Sequence, residues 1–231
     1  MNPEVFGIEH LLYLFIFSAL TVVFLICVHK FAKSSKTQTI ILKITAAILF
    51  ITVLLNRLAK VFDYDDPYWV ALIPDSFCAM SSVLLSLTVL FGKKNNCIYH
   101  FVWLLALFGG VSTMIYPAFV SYNSSFFHLA TITGLLHHSF SVVVVILLFM
   151  FKQISVTYKK WYYTFFGFTC YLTLGAFLMG YFGLSDAFHI VEPLISDTPL
   201  TAWVMAPMYA VGYAIVLFAF EYFKKNPLIK K

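Results

Sequence analysis

The chain has 231 residues, of which 61% are hydrophobic, 19% aromatic and only 11% charged, and its mean hydropathy is +0.90. This composition excludes an ordinary soluble domain and is typical of a membrane protein. The net charge of +5 follows the loops and forms no basic patch with base-reading residues, so nucleic acid is excluded as a partner.

Seven continuous apolar segments predict seven membrane-spanning helices, because each has about the 17 to 25 residues that a helix needs to cross and none has the short alternating pattern of a membrane barrel. The segments are residues 11–28, 40–59, 69–90, 98–119, 127–151, 162–182 and 200–222. The loops are short and no internal repeat is visible. We therefore expect an all-α, seven-helix transmembrane bundle that forms one integral membrane domain over residues 1–231.

The charges in the loops predict the orientation of this bundle. Lysines follow the first, third, fifth and seventh segments, namely Lys30, Lys33, Lys36, Lys93, Lys94, Lys152, Lys159, Lys160, Lys224, Lys225, Lys230 and Lys231. The other side carries Glu4, Glu9, Asp63, Asp65, Asp66, Asp186, Glu192 and Asp197. Because cytoplasmic loops are rich in lysine, we expect a multi-pass cell-membrane protein with its N-terminus outside and its C-terminus in the cytoplasm. The acidic start lacks a signal-peptide cleavage pattern, so we expect the first span to be retained.

The third segment places an acid and a thiol in apolar sequence, in the run Ile-Pro-Asp-Ser-Phe-Cys. Asp75 and Cys78 are three residues apart, so on a continuous helix they share a face, which Ser82 and Ser86 extend. Ionisable groups at membrane depth are costly and point into a bundle or a cavity. Cys78 is therefore a candidate nucleophile.

Two histidines are predicted at the depth of this thiol. Cys78 lies nine residues past Trp69, or about 14 Å along a helix, and His137 and His138 lie about 15 to 17 Å into the fifth span. A histidine can activate a cysteine for acyl transfer through a thioester. Adjacent residues point about 100° apart on a helix, so we expect one of the two rings to face the thiol, and which one stays open.

Further polar residues indicate a pocket that opens outward. Arg57 is near the outer end of the second span and His10 begins the first, at the same side as Asp75 and His137. Asp75 can orient the histidine or pair with Arg57, and Arg57 can be a buried counter-ion or reach the interface. The histidines match no metal-binding spacing, so we predict neither a metal nor a cofactor.

Several short motifs resemble a known family. They are Ile-Pro-x-x-x-Cys78, the Gly-Gly-Val-Ser-Thr-Met-Ile-Tyr-Pro run at residues 109–117, Leu-Leu-His-His138-Ser, Phe-Gly-x-x-His10-Leu-Leu and Asn56-Arg57. Together they resemble the YwaF-type bacterial integral membrane proteins, a family that is similar in turn to a eukaryotic transmembrane acyltransferase acting on ether phospholipids. The resemblance implies a catalytic cysteine at Cys78 and a catalytic histidine at His138. The chain departs from the family's pattern at Ser76, where many members have a histidine.

These observations favour a membrane acyltransferase or lipid acyl hydrolase that acts on membrane lipids with a Cys78 and His138 pair. The alternative is a small-solute transporter or ligand-binding membrane protein that uses Arg57, Asp75 and the histidines. The lack of an inverted repeat counts against a transporter, since many are built from such repeats. A structural partner within a larger complex is the third possibility. The substrate and the oligomeric state stay open.

Overall fold

The computed structural model describes residues 6–63, 66–117 and 125–225, apart from the side chain of Lys225. Over these residues the chain forms seven α-helices and two short 3₁₀ turns, and no strand. The helices are α1 (Ile8–Phe31), α2 (Ser35–Val61), α3 (Phe77–Phe91), α4 (Cys97–Ile115), α5 (Leu129–Met150), α6 (Tyr162–Phe182) and α7 (Ala202–Lys225). The 3₁₀ turns are Trp69–Leu72 and Tyr158–Lys160. Glu4, Asp65, Lys230, Lys231 and the predicted end of the fourth span at Phe119 lie outside the described residues.

Six of these helices, all but α3, are long and apolar enough to cross a membrane. Their outer surfaces expose large apolar side chains such as Phe15, Phe166 and Phe218, as expected of surfaces that face lipid. The predictions of an all-α fold and of a multi-pass membrane protein are therefore confirmed. With 15 residues, α3 is only about 22 Å long, shorter than the roughly 30 Å hydrocarbon core. The seventh span and the orientation of the termini stay predictions.

Helix α5 forms the centre of the bundle. It is the most buried of the long helices and packs against α2 and α4. Hydroxyl pairs link neighbouring helices inside the apolar core: Ser141 on α5 bonds Ser82 on α3 at 2.8 Å, and Ser139 bonds Tyr13 on α1 at 2.7 Å. Such small polar pairs are common between membrane helices, where no water competes for them.

Every second connection between helices lies at the same end of the bundle. At one end, the amide of Asn95 after α3 donates to the carbonyl of Gln153 after α5 at 2.8 Å. At the other, the amide of Phe188 after α6 donates to the carbonyl of Asp75 after α2 at 2.6 Å. We call these the Asn95 end and the Asp75 end. This arrangement agrees with helices that alternate in direction.

The prediction of one continuous helix over residues 69–90 is wrong at its start. The 3₁₀ turn Trp69–Leu72 is followed by an extended stretch, and α3 begins only at Phe77. Pro74 explains part of this break, because proline disfavours helix in the residue before it, and Ile73 is extended with ψ 126°. Ser76 then caps α3, since its hydroxyl accepts the amide of Ala79 at 3.4 Å.

The break changes how the polar residues of this segment relate to one another. Asp75 precedes α3, so the prediction that it shares a helical face with Cys78 is wrong, and a depth counted at helical rise from Trp69 does not hold. Ser82 bonds Ser141, and Ser86 donates to the carbonyl of Val83 at 2.9 Å. Ser82 therefore joins α3 to α5, whereas the Ser86 hydroxyl is satisfied within α3, and neither extends a polar site.

Candidate functional site

A cavity of about 720 Å³ lies toward the Asp75 end, between helices α2 to α7 and the connection that follows α6. Its polar lining residues are Asn56, Arg57, Lys60, Asp75, Ser76, Cys78, Ser112, Thr113, His137, His138, His189, Tyr209 and Tyr213. Five of the six predicted site residues are therefore brought together on one cavity surface. The sixth, His10, is not part of the lining.

Cys78 is the second residue of α3 and is half-buried on the cavity wall. Its sulfur lies against α4 where Gly109 leaves room, since a Cβ atom on Gly109 would come within 2.7 Å of Sγ. The other three cysteines, Cys27, Cys97 and Cys170, are exposed on the outside and do not line the cavity. The first backbone N–H groups of a helix have no intrahelical acceptor, so the amides of Phe77 and Cys78 are available beside the thiol.

His137 and His138 form a contacting pair of rings on α5, with centroids 4.1 Å apart and planes at 33°. Both line the cavity, yet they are only 4% and 8% exposed. Nδ1 of His137 is buried without a hydrogen-bond partner, and among the described residues neither ring hydrogen-bonds to another protein group or to the Cys78 thiol. Neither imidazole is therefore held by a hydrogen bond to another described residue.

The close approach of α4 and α5 sets the position of this pair. A Cβ atom on Gly110 would lie 2.7 Å from the His138 carbonyl oxygen and 2.7 Å from Val142 Cγ2. Gly109 makes the corresponding contact with Cys78 on α3. Two consecutive glycines of α4 therefore lie against the thiol on one side and the backbone of the histidine on the other.

Arg57 fixes the extended stretch before α3. Its side chain is 2% exposed, and Nη1 forms a 2.9 Å ion pair with Asp75 Oδ1. Nε donates to the carbonyl of Ala71 at 2.8 Å and Nη2 to that of Ile73 at 2.7 Å. Arg57 is therefore a buried counter-ion, and Asp75 pairs with it and not with a histidine. A guanidinium presents its donors in a rigid planar fork, so Arg57 holds these three acceptors in fixed directions.

Lys60 is a cavity residue that the sequence analysis did not single out. It follows Arg57 by three residues on α2, so the two share a face, and it is half-buried on the cavity lining. Lys36 and Lys43 lie near the start of α2, beside a lysine-rich loop, whereas Lys60 lies at the opposite end of the helix. A lysine away from the lysine-rich loops is the sequence signal that could have marked it.

His10 has a structural role at the Asp75 end. The ring is 1% exposed, Nε2 bonds the carbonyl of Met114 on α4 at 2.9 Å, and Nδ1 accepts the amide of Phe6 at 3.2 Å. These contacts tie the start of α1 to the end of α4. His10 therefore joins α1 to α4, one wall of the cavity, without lining the cavity itself.

The comparisons with known proteins identify the family. A sequence profile of the TMEM164 family matches residues 5–223, which include α1 to α6, most of α7 and every cavity residue. The chain belongs to the TMEM164 family. Comparison with curated proteins and with solved structures found no match. The resemblances to YwaF-type proteins and to an ether-phospholipid acyltransferase stay predictions.

This member of the TMEM164 family thus combines a thiol, two imidazoles without hydrogen-bond partners among the described residues and the start of helix α3 on one cavity. A thiol is a nucleophile once a base takes its proton, and an imidazole is the usual base. Backbone amides at a helix start can stabilise an oxyanion that forms beside them. Together these groups are the components required for acyl transfer.

Proposed function

We propose that the protein is a membrane lipid acyltransferase or acyl hydrolase that carries the acyl group on Cys78. One observation carries the proposal: Cys78 and His138 line a single cavity whose other walls are largely apolar side chains. Such a cavity suits an acyl chain, and ligand cavities of about 300 to 1,000 Å³ are typical of small-molecule sites.

The reaction begins at the ester carbonyl of a phospholipid. The Cys78 sulfur forms a bond to the carbonyl carbon while His138 takes the thiol proton, and the amides of Phe77 and Cys78 stabilise the oxyanion. The ester C–O bond then breaks, and His138 gives the proton to the departing oxygen. A thioester on Cys78 and a lysophospholipid result. The substrate bridges thiol and imidazole, which have no direct hydrogen bond.

The second half of the reaction reverses these steps with another hydroxyl. His138 takes a proton from the acceptor, whose oxygen bonds the thioester carbon, and the thiolate leaves and regains that proton. When the acceptor is a lysophospholipid the product is a new phospholipid, and when it is water the product is a fatty acid. The acceptor therefore decides between transferase and hydrolase.

The transporter alternative draws less support from the geometry. Arg57 and Asp75 neutralise each other at 2.9 Å, and Arg57 also binds two backbone carbonyls, so neither charge is free to bind a solute. Solute flux that survives Cys78→Ser and fails in Asp75→Asn would favour the alternative.

Acylation of the purified protein tests the proposal. A phospholipid with an alkyne on its acyl chain should label the protein with a bond that hydroxylamine cleaves, and mass spectrometry should locate the label on Cys78. We expect Cys78→Ala to abolish labelling, while the matched control Cys170→Ala retains it. His138→Gln should slow labelling by about 10²- to 10⁴-fold, the usual contribution of a general base.

Two results would contradict the assignment. Equal labelling of Cys78→Ala and the unchanged protein would exclude Cys78 as the acyl carrier. An unchanged rate in His138→Gln with a slowed rate in His137→Gln would transfer the role of base to the neighbouring ring.

A further inference from the structure

Buried polar atoms without a hydrogen-bond partner are concentrated in the cavity. Among the described residues, five buried side-chain nitrogen or oxygen atoms have no such partner. Three of them belong to cavity residues: Nδ1 of His137, Nδ1 of His189, which lies 4.0 Å from a carboxylate oxygen of Asp186, and the hydroxyl oxygen of Tyr209. Because unsatisfied buried groups are costly and rare, these three are candidates for contact with a bound molecule.

Tyr209 brings its hydroxyl to the cavity from α7. Its ring packs edge-on against Phe168 of α6, with centroids 5.3 Å apart, and lies nearly parallel to Tyr213 one turn along α7, with centroids 6.1 Å apart. The hydroxyl oxygen is buried and lies near the backbone of Leu105 on α4, without forming a hydrogen bond to it. The ring is therefore held by packing, while its hydroxyl has no hydrogen-bond partner among the described residues.

The position of Leu105 relates this hydroxyl to the thiol of Cys78. Leu105 precedes Gly109 by four residues, which is one turn or about 6 Å along α4. Gly109 is the residue on which an added Cβ atom would lie 2.7 Å from Cys78 Sγ. The Tyr209 hydroxyl is thus displaced along α4 by about one turn from the level of the thiol.

A chain of aromatic rings makes the same connection from the other side. The Phe168 ring that packs on Tyr209 also packs edge-on against Phe77, with centroids 5.5 Å apart. Phe77 directly precedes Cys78 at the start of α3. Tyr209 and Cys78 are therefore neighbours on one cavity, reached from α7 and from α3.

An acyl group on Cys78 has one polar atom that this hydroxyl can bind. In the proposed reaction the acyl carbon is bonded to Cys78 Sγ, and its alkyl chain lies along apolar walls such as Leu104 and Val216. An alkyl chain has no hydrogen-bond acceptor, whereas the carbonyl oxygen accepts and a tyrosine hydroxyl donates. Negative charge grows on that oxygen when the sulfur attacks, and a donor held in advance beside it then binds it more strongly.

We propose that Tyr209 is a further catalytic residue, whose hydroxyl donates a hydrogen bond to the carbonyl oxygen of the acyl group at Cys78. Tyr209 keeps its proton, and no bond to its oxygen forms or breaks. Its hydroxyl stabilises the oxyanion together with the amides of Phe77 and Cys78, in both halves of the reaction. The inference deepens the proposed function by adding a residue to the same site, and it rests on that function.

Tyr209→Phe tests this role because it removes only the hydroxyl. With the alkyne-labelled phospholipid probe at saturation, acylation of Cys78 should slow by about 10²- to 10³-fold, the usual effect of losing one oxyanion donor. The probe concentration that gives half the maximal rate should change little, because the hydrogen bond strengthens in the transition state. Tyr181→Phe is the matched control, since Tyr181 is 74% exposed on α6, and it should keep the rate of the unchanged protein.

The stability of the same variant separates a chemical role from a structural one. Removal of a hydroxyl without a protein partner leaves no group unsatisfied, so the unfolding midpoint of Tyr209→Phe in detergent micelles should not fall. In Tyr213→Phe, which loses a hydroxyl that donates to the His100 carbonyl at 2.6 Å, the midpoint should fall. An equal fall in both variants would show that the protein itself holds the Tyr209 hydroxyl, and would overturn the proposal.

The carbonyl stretch of the acylated protein reports on the hydrogen bond directly. The thioester is formed on Cys78 without a lysophospholipid acceptor, from a probe with an isotopically labelled carbonyl carbon, and difference infrared spectra are recorded. A hydrogen bond to a carbonyl oxygen lowers its stretching frequency. The band should therefore move to higher frequency in Tyr209→Phe and stay in place in Tyr181→Phe. A band that does not move in Tyr209→Phe would overturn the proposal, whatever the rate.

These outcomes separate this proposal from the proposed function. Acylation of Cys78 at the same rate in Tyr209→Phe and in the unchanged protein would sustain acyl transfer and overturn the role of Tyr209. An unchanged protein that is never acylated would overturn both. Slow acylation of Tyr209→Phe with a displaced carbonyl band and an undiminished unfolding midpoint would sustain both.

Discussion

The guanidinium of Arg57 and the carboxylate of Asp75 form a 2.9 Å ion pair inside the bundle, and the same guanidinium binds the carbonyls of Ala71 and Ile73. Arg57 thereby holds the residues on either side of Pro74, together with the backbone bonds from the Ile73 amide to the Val70 carbonyl and from the Phe188 amide to the Asp75 carbonyl. Arg57 is therefore one of the groups that shape the chain just before Cys78, beside Pro74 and the Ser76 cap.

Removal of Arg57 should destabilise the protein strongly. Arg57→Ala leaves Asp75 without its partner and two carbonyls unsatisfied, so we expect a loss of about 3 to 5 kcal/mol in the free energy of unfolding in detergent micelles. The double variant Arg57→Met with Asp75→Leu should lose less unfolding free energy than the sum of the losses in the two single variants, because it leaves no charge unpaired. Strictly additive costs would show that the two side chains do not act as a pair.

The two consecutive glycines of α4 should respond differently to an added methyl group. In Gly110→Ala the new Cβ meets a backbone carbonyl of α5, so the helices must separate, and we expect a loss of about 1 to 3 kcal/mol in the free energy of unfolding. In Gly109→Ala the Cβ meets only the Cys78 thiol, which can rotate about χ1. We therefore expect little loss of stability but a changed rate of Cys78 alkylation.

Equal destabilisation by the two glycine variants would contradict this interpretation of the contacts. The alkylation rate should be read in a protein whose only cysteine is Cys78, so that the exposed Cys27, Cys97 and Cys170 do not contribute.

Tyr213 should hold α7 to α4. Tyr213→Phe removes the hydroxyl that donates to His100 and accepts from Trp103, and buried groups left unsatisfied cost about 1 to 3 kcal/mol. We expect faster hydrogen exchange or proteolysis in α7 in addition to the lower stability. Tyr181→Phe is the matched control, since Tyr181 is 74% exposed on α6. Identical protection of α7 in both variants would exclude the tether.

The predicted orientation can be tested with thiol chemistry. Cys97 is exposed at the start of α4, beside the lysine-rich connection that follows α3. In a protein whose only cysteine is Cys97, a membrane-impermeant maleimide should label inside-out vesicles and not intact cells. With Glu192→Cys as the single cysteine, in the connection after α6, the result should be the reverse. Labelling of both from the same side would exclude seven crossings.

The sequence alone was enough for the helical membrane class and for nearly all of the helices. A run of apolar residues long enough to cross is a local property, and it does not depend on which helix lies beside it. The predicted segments 162–182 and 40–59 therefore correspond closely to α6 and α2. Reactive residues such as Cys78 and His138 could also be recognised from the sequence, because few polar groups are found in such apolar runs.

The tertiary structure decided how those residues meet. The extended stretch before α3 is held by Arg57, which reaches the carbonyls of Ala71 and Ile73 from α2, and neither the pairing of Asp75 nor the role of His10 was visible from spacing. Lys60 entered the site only when α2 was placed beside α3 and α5. The length of an apolar segment determines whether a helix can cross the membrane. Which side chains that helix presents to a cavity depends instead on its rotation and tilt, and these are set by packing against neighbouring helices.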